Sequence, residues 1–398
     1  MKVSNARILF RIQILWILTF NTFLFTSLVF GIAELFIKSR TLGYLTIGLF
    51  VLIMLLITFL EFALRRFNNK NNKIETLDSQ SPHRKMLEYV LKKIPNSPFN
   101  VDEFLKEMDD YYKQGLTRRV DRTRTSTDYN GTYIKITEGI RNGIRPLSNF
   151  ENKIYVFGGS TVSCLEGPDE WTLPSQIQDQ LNRNQICKRV INLGVSGATT
   201  FDRFIAASDQ KSIRHGDTLF FWFGANEGKG LWGRRGIGFL GFWPGFVELF
   251  ALVRKRSKSI IIDWLYLELV KFDEKSHRRL ARIRAAELRK SFDEQFKKWA
   301  DADVKVIAGL QPTIFSASSN AAAHKFLAKN WKPEMMTIMN IQYEEFRLAF
   351  KEANYFYDFS DSTNEEPENS FVDWVHLSWY GNHIAAEKIC NTRIFFVN

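Results

Sequence analysis

The chain has 398 residues, 45% of them hydrophobic and 24% charged, which describes a folded protein with a sizeable core and excludes a disordered one. Its net charge of +11 is split about evenly between the first 79 residues and the remainder, too diffuse for a nucleic-acid footprint, and no zinc or helix-turn-helix signature accompanies it. Cys164, Cys187 and Cys390 are odd in number and far apart, so neither a disulfide framework nor a metal site is indicated.

From the N-terminus, residues 12–37 and 44–64 are apolar stretches with one charge each, Glu34 and Glu61. Each is long enough to cross the ~30 Å hydrocarbon layer as a helix. The first lacks a small-residue cleavage site and the second follows at once, so residues 1–66 are expected to form a retained transmembrane hairpin. Both termini then share one side of the membrane, and the lysines and arginines flanking the pair favour the cytoplasmic side, although the connecting turn is itself basic. Asn21, Glu34 and Glu61 could contact other membrane helices. Residues 67–82 are polar and read as a linker.

The remainder, residues 83–398, is expected to be one domain. Its extension, 83–150, holds the amphipathic stretch RKMLEYVLKKI and polar loops, with no recognisable chemistry. Beyond it, apolar runs alternate with longer helical segments: KIYVFGG, LPSQIQDQL, RVINLGVSG, TLFFWFGANE, a charged helix around 273–300, and VKVIAGLQP. Such alternation predicts an α/β fold with a parallel sheet and helices on both faces. Ligands in these sheets sit beyond the carboxyl ends of the strands. Here the runs end in GGS at 158–160, GVSG at 194–197 and GANE at 224–227, which bring a hydroxyl, a glycine turn and an amide to one rim. Near the C-terminus, DWVH places Asp373 three residues before His376. A serine that must lose its proton as it attacks, a histidine that accepts it and an aspartate that orients the histidine form a nucleophilic triad.

FGGST, NLGVSG, FGANE and DWVHLS, in that order, resemble the four blocks of the SGNH/GDSL hydrolase family over roughly the last two thirds of the chain. The resemblance implies a flavodoxin-like three-layer α/β/α domain that cleaves acyl esters through a serine acyl-enzyme, with no cofactor and no metal. By position, Ser160 would be the nucleophile, His376 the general base and then acid, and Asp373 its orienting partner. The backbone N–H groups of Ser160 and Gly197 and the side-chain amide of Asn226 would form the oxyanion hole. Two residues depart from the family pattern: Gly159 precedes the serine and Glu227 follows the asparagine, where aspartates are usual.

Cys164 reads as a small buried hydrophobe, Asn192 as a turn-former, the other five histidines as structural, and Asp217 carries no assignment. Within the insertion at about 228–258, the stretch 228–253 is crowded with Gly, Trp and Phe and is followed by RKRSK; it could be a lid that binds an acyl chain or dips into the bilayer, with RKRSK facing lipid headgroups, or a packed cover. The expected partners are therefore an acyl-ester substrate, lipid or glycan, and membrane lipid, with no nucleic acid. The expected function is a membrane-anchored serine esterase. The alternatives are an O-acyltransferase using the same residues and a catalytically silent assembly subunit of a membrane complex.

Overall fold

The computed structural model describes residues 82–115, 117–120, 123–147, 150, 152–228, 274–316 and 333–396. The expected hairpin, the linker up to residue 81 and the insertion beyond Gly228 lie outside these residues. Among the described residues no helix is long and apolar enough to cross a membrane.

The extension opens with two helices, α1 (Pro82–Lys93) and α2 (Val101–Gln114). The Asn100 side chain caps α2 by accepting from the N–H groups of Asp102 and Glu103, and both acids sit in the first turn, where the helix dipole favours them. Five short strands follow: β1 (Thr117–Val120) and β2 (Thr123–Ser126) pair as a hairpin, then come β3 (Tyr129–Asn130), β4 (Lys135–Thr137) and β5 (Ile140–Arg141).

The central sheet is built from β6 (Asn152–Gly158), β7 (Lys188–Gly194), β8 (Thr218–Phe223), β9 (Lys305–Leu310) and β10 (Phe356–Asp358). The spatial order is β10-β9-β8-β6-β7-β5-β4-β3. The five strands from β10 to β7 are parallel, as the alternating pattern predicts, but β5, β4 and β3 continue the sheet antiparallel. The wholly parallel sheet of the sequence reading is thereby corrected to a mixed one. The physical reason lies in the extension, which has no room for crossover helices between strands of two or three residues and so joins them by turns.

Helices cover both faces. They are the single turn α3 (Ser160–Ser163), α4 (Leu173–Arg183), α5 (Thr200–Asp209), α6 (Glu274–Ala300), α7 (Pro333–Phe350), the short α8 (Pro367–Ser370) and α9 (Trp379–Asn391). Every residue of β8 is buried, and successive side chains serve opposite faces. Phe221 and Phe223 pack against Phe204 of α5, Phe292 of α6 and Phe346 and Phe350 of α7. Phe220 meets Phe359 and Phe395 instead.

A second, smaller core joins the extension to this domain. Leu87, Val90, Leu91 and Ile94 of α1 and Phe104, Leu105, Met108 and Tyr111 of α2 close over Leu165, Val372 and Trp379. Leu165 and Val372 each adjoin a residue of the candidate site, so the amphipathic stretch noted in the sequence buttresses two of its loops.

Candidate active site

The site forms at the carboxyl ends of β6, β7 and β8 and in the loop before α9. Strand β6 ends at Gly158, Gly159 is the N-cap of α3, and Ser160 opens that helix. A Cβ on Gly159 would lie 1.9 Å from Asn226 Nδ2 and 3.1 Å from the Ala198 carbonyl oxygen, so no larger side chain fits without displacing them. A side chain at position 159 would therefore have to push the Asn226 amide aside.

After β7, the N–H of Ala198 donates to the carbonyl of Val195 at 3.0 Å, closing a four-residue turn in which Gly197 has φ +76°. A positive φ at the third position is what a type II turn requires, and glycine meets it without steric cost. Asn226, just beyond β8, donates from Nδ2 to the Ala198 carbonyl at 2.9 Å, which pins its amide to this turn. One of the two amide hydrogens is used there and the other remains.

Glu227 connects the same two loops. Its Oε1 accepts from the N–H and hydroxyl of Thr200, both at 2.8 Å, and its Oε2 accepts from the Gly224 N–H at 2.7 Å. The Glu227 side chain thereby spans the gap between the turn after β7 and the end of β8.

The segment Phe371–Leu377 doubles back on itself. An isolated bridge pairs its ends, and the Val372 N–H donates to the His376 carbonyl at 2.9 Å. Asp373 is at the centre: Oδ1 accepts from the N–H groups of Val375 and His376 at 2.8 and 2.7 Å, and Oδ2 lies 2.7 Å from His376 Nδ1. Immediately after, Ser378 caps α9 by accepting from the Gly381 N–H. His376 Nε2 reaches Ser160 Oγ at 2.8 Å across 216 residues of sequence. The partners fix the tautomer: a carboxylate only accepts, so Nδ1 carries the hydrogen and Nε2 is free to accept from the serine hydroxyl. The two side chains are nearly enclosed, 17% exposed for His376 and 10% for Asp373.

The structure therefore brings Ser160, His376 and Asp373 into one chain of hydrogen bonds and places Asn226 against Gly159 and the turn that holds Gly197. Cys164 ends α3 with φ +48°, and burial pushes its thiol up to about 12. Asn192 is buried and bonds the Val162 carbonyl and the Gly194 N–H, so it ties β7 to α3. Asp217, left unassigned, braces strand starts by accepting from the N–H groups of Lys153 and Arg214.

Three groups near the site carry no role in the sequence reading. Arg141 of β5 is buried; its guanidinium pairs with Asp169 at 2.8 Å and donates to the carbonyls of Ser163, Cys164 and Gly167. Burial raises the Asp169 carboxyl, with Arg141 opposing that rise. Thr161 donates to Gln311 Oε1 at 2.9 Å, joining the Ser160 turn to the end of β9. Glu166, 3% exposed, has Oε1 3.8 Å from His376 Nε2. No short-range pattern marks these residues, because their partners are backbone carbonyls or side chains far away in sequence.

No protein-family model and no curated protein matches this sequence. Solved structures similar to the chain include the acetyl xylan esterase AlAXEase, 17% identical with a TM-score of 0.37, covering 61% of this chain and 100% of that one. The acetylxylan esterase Axe2 of Geobacillus stearothermophilus is 17% identical with a TM-score of 0.37, over 61% of this chain and 94% of its own. The psychrotrophic esterase EstA of a Pseudoalteromonas species is 14% identical with a TM-score of 0.35, over 62% of this chain and 98% of its own.

Proposed function

We propose that the protein is a serine ester hydrolase of the SGNH/GDSL type, held at a membrane by its N-terminal apolar pair and acting on an acyl ester of lipid or glycan. The observation that carries the hydrolase reading is the continuous relay from Ser160 through His376 to Asp373, at 2.8 and 2.7 Å. The membrane part rests on the two apolar stretches at 12–37 and 44–64.

In this reading Ser160 Oγ attacks the ester carbonyl carbon while its proton passes to His376 Nε2. The carbonyl electrons move to oxygen, where the Ser160 and Gly197 N–H groups and the second Asn226 amide hydrogen meet the developing charge. His376 then gives the proton to the departing alcohol, leaving an acyl-serine. Water, activated by the same imidazole, attacks the acyl-serine and releases the acid. Asp373 keeps its charge throughout, holding the Nδ1–H tautomer and stabilising the imidazolium.

The test is labelling of the full-length protein, in detergent or native membranes, with a fluorophosphonate that carries a reporter. The parent should label and hydrolyse short p-nitrophenyl esters, and Ser160→Ala should fold normally and do neither. Equal labelling of the alanine variant would overturn the nucleophile assignment. Absence of labelling and of hydrolysis in a folded parent would favour a silent assembly subunit. Acyl transfer to an added sugar in place of hydrolysis would move the reading to an O-acyltransferase.

A further inference from the structure

Glu166 follows the nucleophile turn by a few residues and is almost wholly enclosed at 3% exposure. Its Oε1 stands 3.8 Å from His376 Nε2, the nitrogen that also meets Ser160 Oγ at 2.8 Å, while Asp373 holds the opposite nitrogen at 2.7 Å. The imidazole thus has a carboxylate at each edge, one bonded through Nδ1 and one within Coulomb range of the nitrogen that receives the proton. Among the described residues, three further ionisable groups near the pair leave it in place. The Tyr112 phenol of α2 is held well above its usual value, first by burial and then by Glu166 and Asp373, so it stays neutral. The Cys164 thiol is likewise kept neutral by burial. The nearby cation, Arg141, is paired with Asp169 and hydrogen-bonded to three carbonyls.

We infer that Glu166 is an electrostatic positioning residue for the serine reaction, stabilising the imidazolium of His376 from the edge at which the proton arrives. This inference rests on the serine-hydrolase reading. As the Oγ–C bond forms, the serine proton moves to Nε2 and the imidazole becomes a cation. A negative charge 3.8 Å from that nitrogen favours the cation over the neutral ring. The same charge raises the pH at which His376 becomes available as a base, so the residue sets the acid limb of the rate profile as well as its plateau. A glutamate that only held its loop together would move neither.

The experiment compares the parent with Glu166→Gln, which keeps shape and hydrogen-bonding capacity and removes the charge. The His376 imidazole is titrated by NMR from its ring carbon and nitrogen shifts, assigned with His376→Gln, and kcat/KM is followed against pH with a p-nitrophenyl ester. An opposite charge at this distance moves a titration by about 1 to 3 pH units. The His376 midpoint and the acid limb should therefore both move to lower pH in Glu166→Gln, with a lower plateau. If Glu166→Gln does not fold, Glu166→Asp draws the carboxylate back by one methylene and should move the midpoint in the same direction by less. A midpoint that stays put in the folded variant overturns the inference. The NMR titration decides this even if the parent proves inert as an esterase, an outcome that would sink the hydrolase reading alone.

Discussion

Replacing Asp373 by asparagine tests the proposed mechanism most sharply, because the hydrogen bonds around this carboxylate dictate how the amide must sit. Oδ1 accepts two backbone N–H groups, from Val375 and His376, and Oδ2 accepts one ring N–H. Asparagine offers one oxygen and one NH2. With its oxygen on the backbone side, two bonds survive and the NH2 faces Nδ1. The opposite placement sets the NH2 against two enclosed N–H donors, at about 1 to 3 kcal/mol for each unsatisfied group. The first arrangement wins, so Nδ1 must become an acceptor and the ring hydrogen must move to Nε2. That nitrogen then presents a hydrogen to Ser160 Oγ and can no longer take one. An orienting aspartate replaced in this way typically lowers kcat by ~10⁴-fold, or about 5.5 kcal/mol at about 1.4 kcal/mol per decade. KM should hardly change, and the melting temperature should stay close to the parent's because the backbone bonds persist. The assay is steady-state hydrolysis of p-nitrophenyl acetate, with Ser160→Ala setting the background. A kcat within tenfold of the parent's would refute the tautomer argument.

Asn226→Ala should lower kcat by ~10²- to 10³-fold, about 2.7 to 4 kcal/mol, with KM nearly unchanged, since the lost donor meets charge that appears only in the transition state. A raised KM with kcat intact in the same steady-state assay would place Asn226 in substrate binding instead. His277 has no exposed surface, and burial pushes it down to about 4. Its folded-state value lies below the unfolded one near 6.5, so the folded state loses stability as pH falls from about 6.5 to about 4, by up to ~3 kcal/mol, and no further below. Denaturant midpoints at pH 7 and pH 4.5 should differ less for His277→Leu than for the parent, and equal differences would count against this account.

The parts of the fold and site that short-range patterns reveal are those governed by short-range physics. Ser160, Gly197 and Asn226 each stand just beyond the end of an apolar strand, where it gives way to a turn or a short helix. Asp373 and His376 are three apart in a loop that closes on itself. The antiparallel edge was not legible because β3, β4 and β5 are two or three residues long and lack sustained alternation. Their strand character comes from pairing with one another and, through the single register contact of Arg141 with Asn192, from the pairing of β5 with β7. Arg141, Glu166 and Asp169 look like surface charges in the sequence. The burial of Arg141 and Glu166 and the partial enclosure of Asp169 follow from the loop after α3 folding onto the extension, a tertiary event with no local signature. Gly159 could be recognised only as a departure; the group a side chain there would meet, the amide of Asn226, lies 67 residues away.

The Glu227 tie also bears on motion. One carboxylate bonds to Thr200 at the start of α5 and to Gly224 at the end of β8, so neither loop can swing away alone without stripping an acceptor from a backbone N–H. The two segments should therefore open to solvent as a single unit, with the Thr200 and Gly224 amides exchanging their hydrogens at matched rates. In Glu227→Ala those rates should separate, with the Asn226–Ala198 hydrogen bond left to hold the two loops together while the strands beneath stay closed. Glu227 is thus a clasp between two loops, so that the relative placement of the turn after β7 and the end of β8 is kept or lost as a whole.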